Sequence, residues 1–119
     1  MKVMLIEDDR TMRAILKTLL ELERFTVSSW SGQPSDDILT LIRNDPPDVL
    51  LLDVHLRNIS GLDILRQIRN DNLLGSMRIL MTSGMDLKDQ CMEAGADGFL
   101  LKPYMPDELI QLIRTQAIT

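Results

Sequence analysis

Pro47-Asp48-Val49-Leu50-Leu51-Leu52-Asp53 is the stretch of this sequence that decides its fold. Four consecutive apolar residues stand between a proline-containing turn and a carboxylate. A strand that is apolar on both faces is typical of the centre of a parallel sheet, where helices cover both sides. The stretch therefore predicts a central strand over residues 49–52 that ends at Asp53.

Four more short apolar runs lie on either side of this strand in the sequence, and each of the five is followed by apolar residues at helical spacing. An alternation of strand and helix with short connections predicts an α/β fold, with a parallel sheet and helices on both faces. The length of 119 residues fits a single domain over residues 1–119. The additional runs are residues 3–6, 25–27, 79–81 and 98–101.

Several local features carry expectations of their own. Asp9 and Ser35 are suited to cap the first and second helices. The fourth helix, over roughly residues 87–94, is expected to be short because few residues separate the fourth and fifth strands. Trp30 is expected to be partly exposed beside the second strand, and the loop around Gln33-Pro34 to be slightly long.

Composition narrows the classes of function. The formal net charge of −5 disfavours direct binding to nucleic acid, whose phosphates would repel this surface. No apolar run is long enough to predict a membrane span. The single cysteine, Cys91, cannot form an internal disulfide, which suits a reducing cytoplasm.

Chemically reactive side chains come directly after four of the predicted strands. Because ligands bind at the carboxyl ends of parallel strands, we expect these side chains to share one crevice. Carboxylates held close together repel one another, so a proton or a cation must compensate. An oxygen-rich cluster of this kind suits Mg²⁺, or the similar Mn²⁺. The residues are Glu7 and Asp8 after the first strand, Asp53 after the third, Thr82 and Ser83 after the fourth, and Lys102 after the fifth.

Each of these signals has an ordinary explanation when it is taken alone. The acids at residues 7–9 would suit any helix N-terminus, where negative charge is favourable. Asp53 would be a turn residue, and Lys102 a solvated surface lysine. Their common position at the ends of successive strands is what favours a functional site.

Four motifs together resemble the receiver domain of bacterial response regulators, the CheY-like domains of two-component signalling. The resemblance covers the whole chain and implies a doubly wound, flavodoxin-like fold with five helices around five parallel strands in the order 2-1-3-4-5. The motifs are Leu5-Ile6-Glu7-Asp8-Asp9, Pro47-Asp48-Val49-Leu50-Leu51-Leu52-Asp53, Ser60-Gly61-Leu62 and Ala94-Gly95-Ala96-Asp97-Gly98-Phe99-Leu100-Leu101-Lys102-Pro103.

The resemblance implies a role for each acid and for the lysine. Asp53 corresponds to the phosphoacceptor. Glu7, Asp8 and Asp53 would hold Mg²⁺, together with the backbone carbonyl of His55. Lys102 would contact the phosphoryl group. The domain would then be a self-phosphorylating acceptor with at most autophosphatase activity, rather than an enzyme acting on other substrates.

A second group of residues would report phosphorylation to the rest of the domain. Ser83 corresponds to the switch hydroxyl, and the adjacent Thr82 is the alternative. Alternation along the fourth strand favours Ser83. Phe99 occupies the position of the switch aromatic residue, and the resemblance implies a cis peptide bond before Pro103.

The resemblance also implies partners, and the sequence departs from the family after Asp53. The phosphoryl donor would be a sensor histidine kinase or a phosphotransfer protein, and the recipient of the signal an effector protein or output domain, all in the cytoplasm. A homodimer is left open. Arg57 stands where a proline is common, which predicts a looser loop after Asp53.

Two other functions remain as alternatives. A degenerate receiver could serve as an interaction module that is never phosphorylated. A metal-dependent phosphohydrolase could also use an aspartyl phosphate, but such enzymes commonly carry a second acid two residues after the nucleophile. His55 occupies that position here.

Overall fold

The computed structural model describes residues 1–30 and 37–118. Its central sheet has five parallel strands, which are β1 (Lys2–Ile6), β2 (Thr26–Ser29), β3 (Val49–Asp53), β6 (Arg78–Ser83) and β7 (Gly98–Leu101). The strand order β2-β1-β3-β6-β7 confirms the predicted order 2-1-3-4-5. The labels differ because two short strands, β4 (His55–Leu56) and β5 (Ile59–Ser60), pair with each other as a hairpin outside the central sheet. Within residues 1–30 and 37–118, five helices flank the sheet, namely α1 (Arg10–Leu22), α2 (Ile38–Asn44), α3 (Gly61–Arg69), α4 (Lys88–Glu93) and α5 (Pro106–Ile118).

The central strand β3 is buried along its whole length, as its apolar run predicts. Leu50 and Leu52 point to one face of the sheet, and Val49 and Leu51 to the other. The first pair packs in an α3-side cluster whose helical members are Ile38, Ile42, Ile64, Leu65, Ile68 and Cys91. The second pair packs in an α1-side cluster whose helical members are Leu16, Leu20, Leu109, Ile110 and Ile113. The sheet is therefore the middle layer of three.

The helix starts agree only in part with the sequence expectations. The Asp9 carboxylate accepts the N–H of Met12 at 3.0 Å and caps α1, as predicted. At α2 the capping residue is Asp37, which accepts the N–H of Leu39. The predicted cap Ser35 and the loop around Gln33-Pro34 lie outside the described residues, but a helix that begins at Ile38 takes its cap from residue 37.

The structure tests the expected length of the fourth helix and the expected exposure of Trp30. The fourth helix is short, with six residues between its boundary residues Leu87 and Ala94. The expectation of a partly exposed Trp30 is wrong, since only 2% of this residue is accessible. The indole follows β2 directly and packs in the α3-side cluster, which includes Ile38 of α2.

The loop after Asp53, for which the replacement of proline by Arg57 predicts a looser structure, contains a hairpin. β4 and β5 pair in antiparallel fashion, with His55 opposite Ser60. Arg57 and Asn58 form the two-residue turn between them, and Asn58 takes the left-handed φ of 64°. Asparagine tolerates this conformation better than most residues, so the turn forms without glycine.

In the described part of the chain, no helix is both long and apolar enough to cross a membrane.

Candidate metal and phosphoryl site

Three carboxylates converge at the carboxyl edge of the sheet. Glu7 and Asp8 follow β1, and Asp53 is the last residue of β3. Because Ile6 pairs with Leu52 in the parallel register, Glu7 and Asp53 leave the sheet side by side. One oxygen from each of the three carboxylates lies within 4.8 Å of the other two. The structure thus brings the three predicted acids together, with Glu7 and Asp53 buried and Asp8 half-buried.

Lys102 supplies the positive charge closest to this cluster. Its Nζ donates to Oδ2 of Asp53 at 2.8 Å and to Oε2 of Glu7 at 3.0 Å. Burial alone would lower the pKa of Lys102, but the hydrogen bonds to Asp53 and Glu7 and the negative charges of these two residues together outweigh burial and raise the pKa. The lysine therefore stays charged between the two buried carboxylates.

Glu7 is the member of the cluster whose titration is most disturbed. Burial is the largest cause that raises the pKa of Glu7 from its ordinary value of 4.5 to about 7. The neighbouring Asp53 raises this pKa further, and Lys102 opposes the rise. One ammonium group contacts two buried carboxylates at this edge, and a divalent cation would supply further compensating charge.

We expect this raised pKa to make the metal-free protein less stable as the pH rises from about 4.5 to about 7. In that window the folded state keeps a proton on Glu7 that the unfolded state has released. Raising the pH therefore lowers the free energy of unfolding, by a few kcal/mol at most. Urea unfolding at a series of pH values, in the presence of a chelator, measures the effect.

Glu7→Gln is the matched control, because the amide fills the same space and does not titrate. The contribution of Glu7 is the difference between the two pH profiles. Parallel profiles for the wild type and Glu7→Gln would show that the raised pKa does not belong to this residue.

Main-chain groups of the hairpin segment hold two of the carboxylates. The N–H of His55 donates to Oδ1 of Asp53 at 3.2 Å. The N–H of Arg57 donates to Oδ2 of Asp8 at 2.6 Å. The hairpin therefore reaches from the third strand to the acid that follows the first strand, and it lies directly against the site.

Gly61 brings the end of this hairpin close to the backbone of the predicted phosphoacceptor. The N–H of Gly61 donates to the carbonyl of Val54 at 2.7 Å. A Cβ atom at position 61 would lie 2.1 Å from the carbonyl oxygen of Asp53 and 2.8 Å from the Cα of Val54. Only glycine fits this approach without displacing main chain.

The two candidate switch hydroxyls are both buried at the end of β6. Thr82 is the register partner of Asp53, and by strand alternation it shares the sheet face of Asp53. Ser83 lies one residue nearer the end of the strand, and its Oγ accepts the N–H of Met85 at 3.0 Å. Which hydroxyl serves as the switch stays a prediction.

The remaining predicted residues lie within β7, directly after it and in the hairpin. Phe99 of β7 is half-buried against the α3-side cluster. The peptide bond between Lys102 and Pro103 is cis. The side chain of His55 is exposed at the start of the hairpin.

Sequence reasoning missed two groups that fix the acidic edge. One is the main-chain N–H of Arg57. The sequence contained a signal for it, since a proline at position 57 would have had no N–H to donate. The other is Arg13, whose guanidinium donates to the backbone carbonyl of Glu7 at 2.7 Å. An arginine on the first turn of a helix carries no sequence signal for such a contact.

Comparison with known families decides how this arrangement is classified. The family model described as the response regulator receiver domain matches residues 3–114. The chain belongs to this family. The motifs predicted a receiver domain of two-component response regulators, and the family match confirms this prediction. The acids and the lysine at the sheet edge lie within the matched residues.

Curated relatives agree with this assignment. The receiver domain is 36% identical over 121 residues to the nitrate/nitrite response regulator protein homolog of Haemophilus influenzae, covering 98% of this chain and 57% of the relative. It is 31% identical to the probable transcriptional regulator ycf27 of Guillardia theta, covering 95% of this chain and 44% of the relative. The chain thus spans about half the length of the curated relatives that it matches.

Solved structures show the same fold. The BeF3-activated N-terminal receiver domain of Klebsiella pneumoniae RstA superposes with a TM-score of 0.87 at 23% identity, covering 100% of both chains. The chemotaxis protein CheY4 of Vibrio cholerae superposes with a TM-score of 0.83 at 22% identity, covering 96% of each chain. At these identities the likeness establishes the fold.

Proposed function

We propose that this receiver domain accepts a phosphoryl group on Asp53, in a reaction that depends on Mg²⁺, and acts as a phosphorylation switch. The observation that carries the proposal is the contact of Lys102 with both Asp53 and Glu7, with Asp8 close enough to share a cation with them. An aspartate nucleophile beside a lysine and an oxygen-rich cation site fits phosphoryl transfer.

The transfer itself is a substitution at phosphorus. A carboxylate oxygen of Asp53 forms a bond to phosphorus while the bond from phosphorus to the donor's histidine nitrogen breaks, and the imidazole leaves with the electron pair. Attack by an anion on an anionic phosphoryl group is electrostatically opposed. Lys102 offsets that repulsion, because its ammonium already contacts the acceptor carboxylate.

The three carboxylates fit the preferences of Mg²⁺ for hard oxygen ligands. Glu7, Asp8 and Asp53 would hold the ion, and the carbonyl of His55 is proposed as a further ligand from the family pattern. Mn²⁺ would suit the same ligands. When it is bound, the cation would neutralise charge on the phosphoryl oxygens.

Ser83 is proposed as the hydroxyl that transmits the change, because it corresponds to the switch hydroxyl in the family pattern, although Thr82 shares the sheet face of Asp53. A phosphoryl oxygen that accepts the O–H of Ser83 would draw this hydroxyl toward Asp53 and away from the N–H of Met85, which its Oγ now accepts. Losing that bond would free the loop between β6 and α4. Such a local charge event can bias an element between two arrangements, and Phe99 on the neighbouring strand would follow it.

Paired substitutions separate the two hydroxyls. We expect beryllofluoride with Mg²⁺ to shift the amide resonance of Met85 in the wild type and in Thr82→Val. The shift should be lost in Ser83→Ala, because no hydroxyl remains to move away from the N–H of Met85. The measurement is a two-dimensional amide NMR spectrum. A shift that survives Ser83→Ala and disappears in Thr82→Val would assign the role to Thr82.

The direct test of the proposed function is the intact mass of the protein after incubation with a small acyl phosphate and Mg²⁺. The expected result is a gain of one phosphoryl group that is absent when a chelator replaces Mg²⁺. A protein that gains no mass under these conditions, although it is folded, would refute phosphoryl acceptance.

The partners belong to the same proposal. The donor would be a sensor histidine kinase or a phosphotransfer protein, and the signal would pass to an effector protein or an output domain in the cytoplasm. The comparisons lend no support to a phosphohydrolase or to a degenerate receiver. The presence of Glu7, Asp8, Asp53 and Lys102 also disfavours a receiver that has lost its chemistry. A homodimer stays a prediction.

A further inference from the structure

The turn of the β4–β5 hairpin contains a main-chain donor that is aimed at the acidic cluster. The hairpin ladder pairs His55 with Ser60 and Leu56 with Ile59, which leaves the N–H of Arg57 outside the ladder. This N–H donates to Oδ2 of Asp8 at 2.6 Å, across 49 positions of sequence. The bond is short, as expected when the acceptor is a carboxylate.

Asp8 is the member of the cluster that most needs such support. Glu7 and Asp53 are buried and are held by Lys102, whereas Asp8 is half-buried and does not contact that ammonium among the described salt bridges. A carboxylate can accept one N–H at one oxygen and still offer lone pairs to a cation. Hydrogen bonds of this kind commonly orient metal ligands.

We propose that the main-chain N–H of Arg57 is a positioning group for the cation. It holds the Asp8 carboxylate at the separation from Glu7 and Asp53 at which all three share one divalent ion. The side chain of Arg57 has no part in this role. The proposal rests on the proposed cation site and assigns part of its affinity to one peptide N–H.

The turn geometry allows this donor to be removed cleanly. Among the described non-glycine residues, only Arg24 and Asn58 have a positive φ, so Arg57 keeps a φ of the sign that proline requires. Proline is common at the first central position of such turns. The preceding residue, Leu56, lies in a strand, which is the conformation favoured before proline.

Arg57→Pro and Arg57→Gln form a matched pair. Both remove the positive charge, but only proline removes the N–H. We expect Arg57→Pro to bind Mg²⁺ about 10-fold more weakly than Arg57→Gln, measured by isothermal titration calorimetry. Arg57→Gln should retain the hydrogen bond, and equal melting temperatures of the two variants in a chelator would show that the fold is intact.

Equal affinity of the two variants, or tighter binding by Arg57→Pro, would overturn the proposal and leave the cation site standing. A wild-type domain that does not bind Mg²⁺ would overturn both.

Hydrogen exchange in the wild type gives a second test that does not depend on a variant. If the N–H of Arg57 positions Asp8 for the ion, its exchange should be slow without Mg²⁺ and slower with it. Exchange that becomes faster when Mg²⁺ binds would show that the hydrogen bond competes with the ion, and this would overturn the proposal even if Arg57→Pro does not fold.

Discussion

Asp53→Asn is expected to abolish phosphoryl incorporation by the receiver domain. The amide has nearly the shape of the carboxylate, and its oxygen can still accept the N–H of His55, which is 3.2 Å from Oδ1 of the native residue. It lacks the anionic oxygen that must form the bond to phosphorus. Intact mass after incubation with an acyl phosphate and Mg²⁺ should therefore show no gain.

The control for this variant is Asp63→Asn, which alters an exposed carboxylate in the first turn of α3. It should gain one phosphoryl group, as the wild type should. Incorporation into Asp53→Asn at neutral pH would reject Asp53 as the acceptor. If Asp53→Asn does not fold, it shows no thermal unfolding transition. Asp53→Glu, which restores the charge on a longer side chain, then gives an independent comparison of the rate of phosphoryl incorporation.

Gly61→Ala, which adds a single methyl group, is expected to be among the most destabilising glycine-to-alanine substitutions in this domain. The new Cβ would lie 2.1 Å from the carbonyl oxygen of Asp53, a contact that no side-chain rotation can relieve. Either α3 or the end of β3 must move. We expect a loss of roughly 3 kcal/mol in the free energy of unfolding, toward the upper end of the usual effect of overpacking. Urea unfolding measures it.

The same substitution at Gly84 provides the comparison, since a Cβ there would have no atom within 4 Å. Gly84→Ala should leave the free energy of unfolding nearly unchanged. Gly61→Ala should also lower the rate of phosphoryl incorporation, because the displaced main chain belongs to the acceptor. Equal stability of the two variants would contradict the close approach of Gly61 to Asp53.

Much of the fold follows from patterns within a few residues. The apolar run that ends at Asp53 predicts a central strand because only a strand covered on both sides hides every one of its side chains. The position of Asp9 before an amphipathic helix predicts a cap because the acceptor and the donor, the N–H of Met12, are close in sequence. The convergence of the acids with Lys102 could be predicted because parallel strands end at one edge.

The sequence was least informative where the outcome depended on contacts with residues that are distant in sequence. Trp30 was expected to be partly exposed beside the second strand. Its burial comes from the α3-side cluster, including Ile38 of α2. The missing proline at position 57 predicted a looser loop, but it gave no prediction of the contact between the N–H that proline lacks and Asp8.

The sequence by itself determined the order of strands and helices, the central position of β3, and the set of acids and the lysine at one sheet edge, because each depends on local spacing or on the parallel direction of strands. The tertiary structure alone decided which main-chain groups hold that set in place. The contacts of Arg57 with Asp8 and of Gly61 with Asp53 form only when separate segments are brought within hydrogen-bond or van der Waals distance. No local pattern encodes those distances.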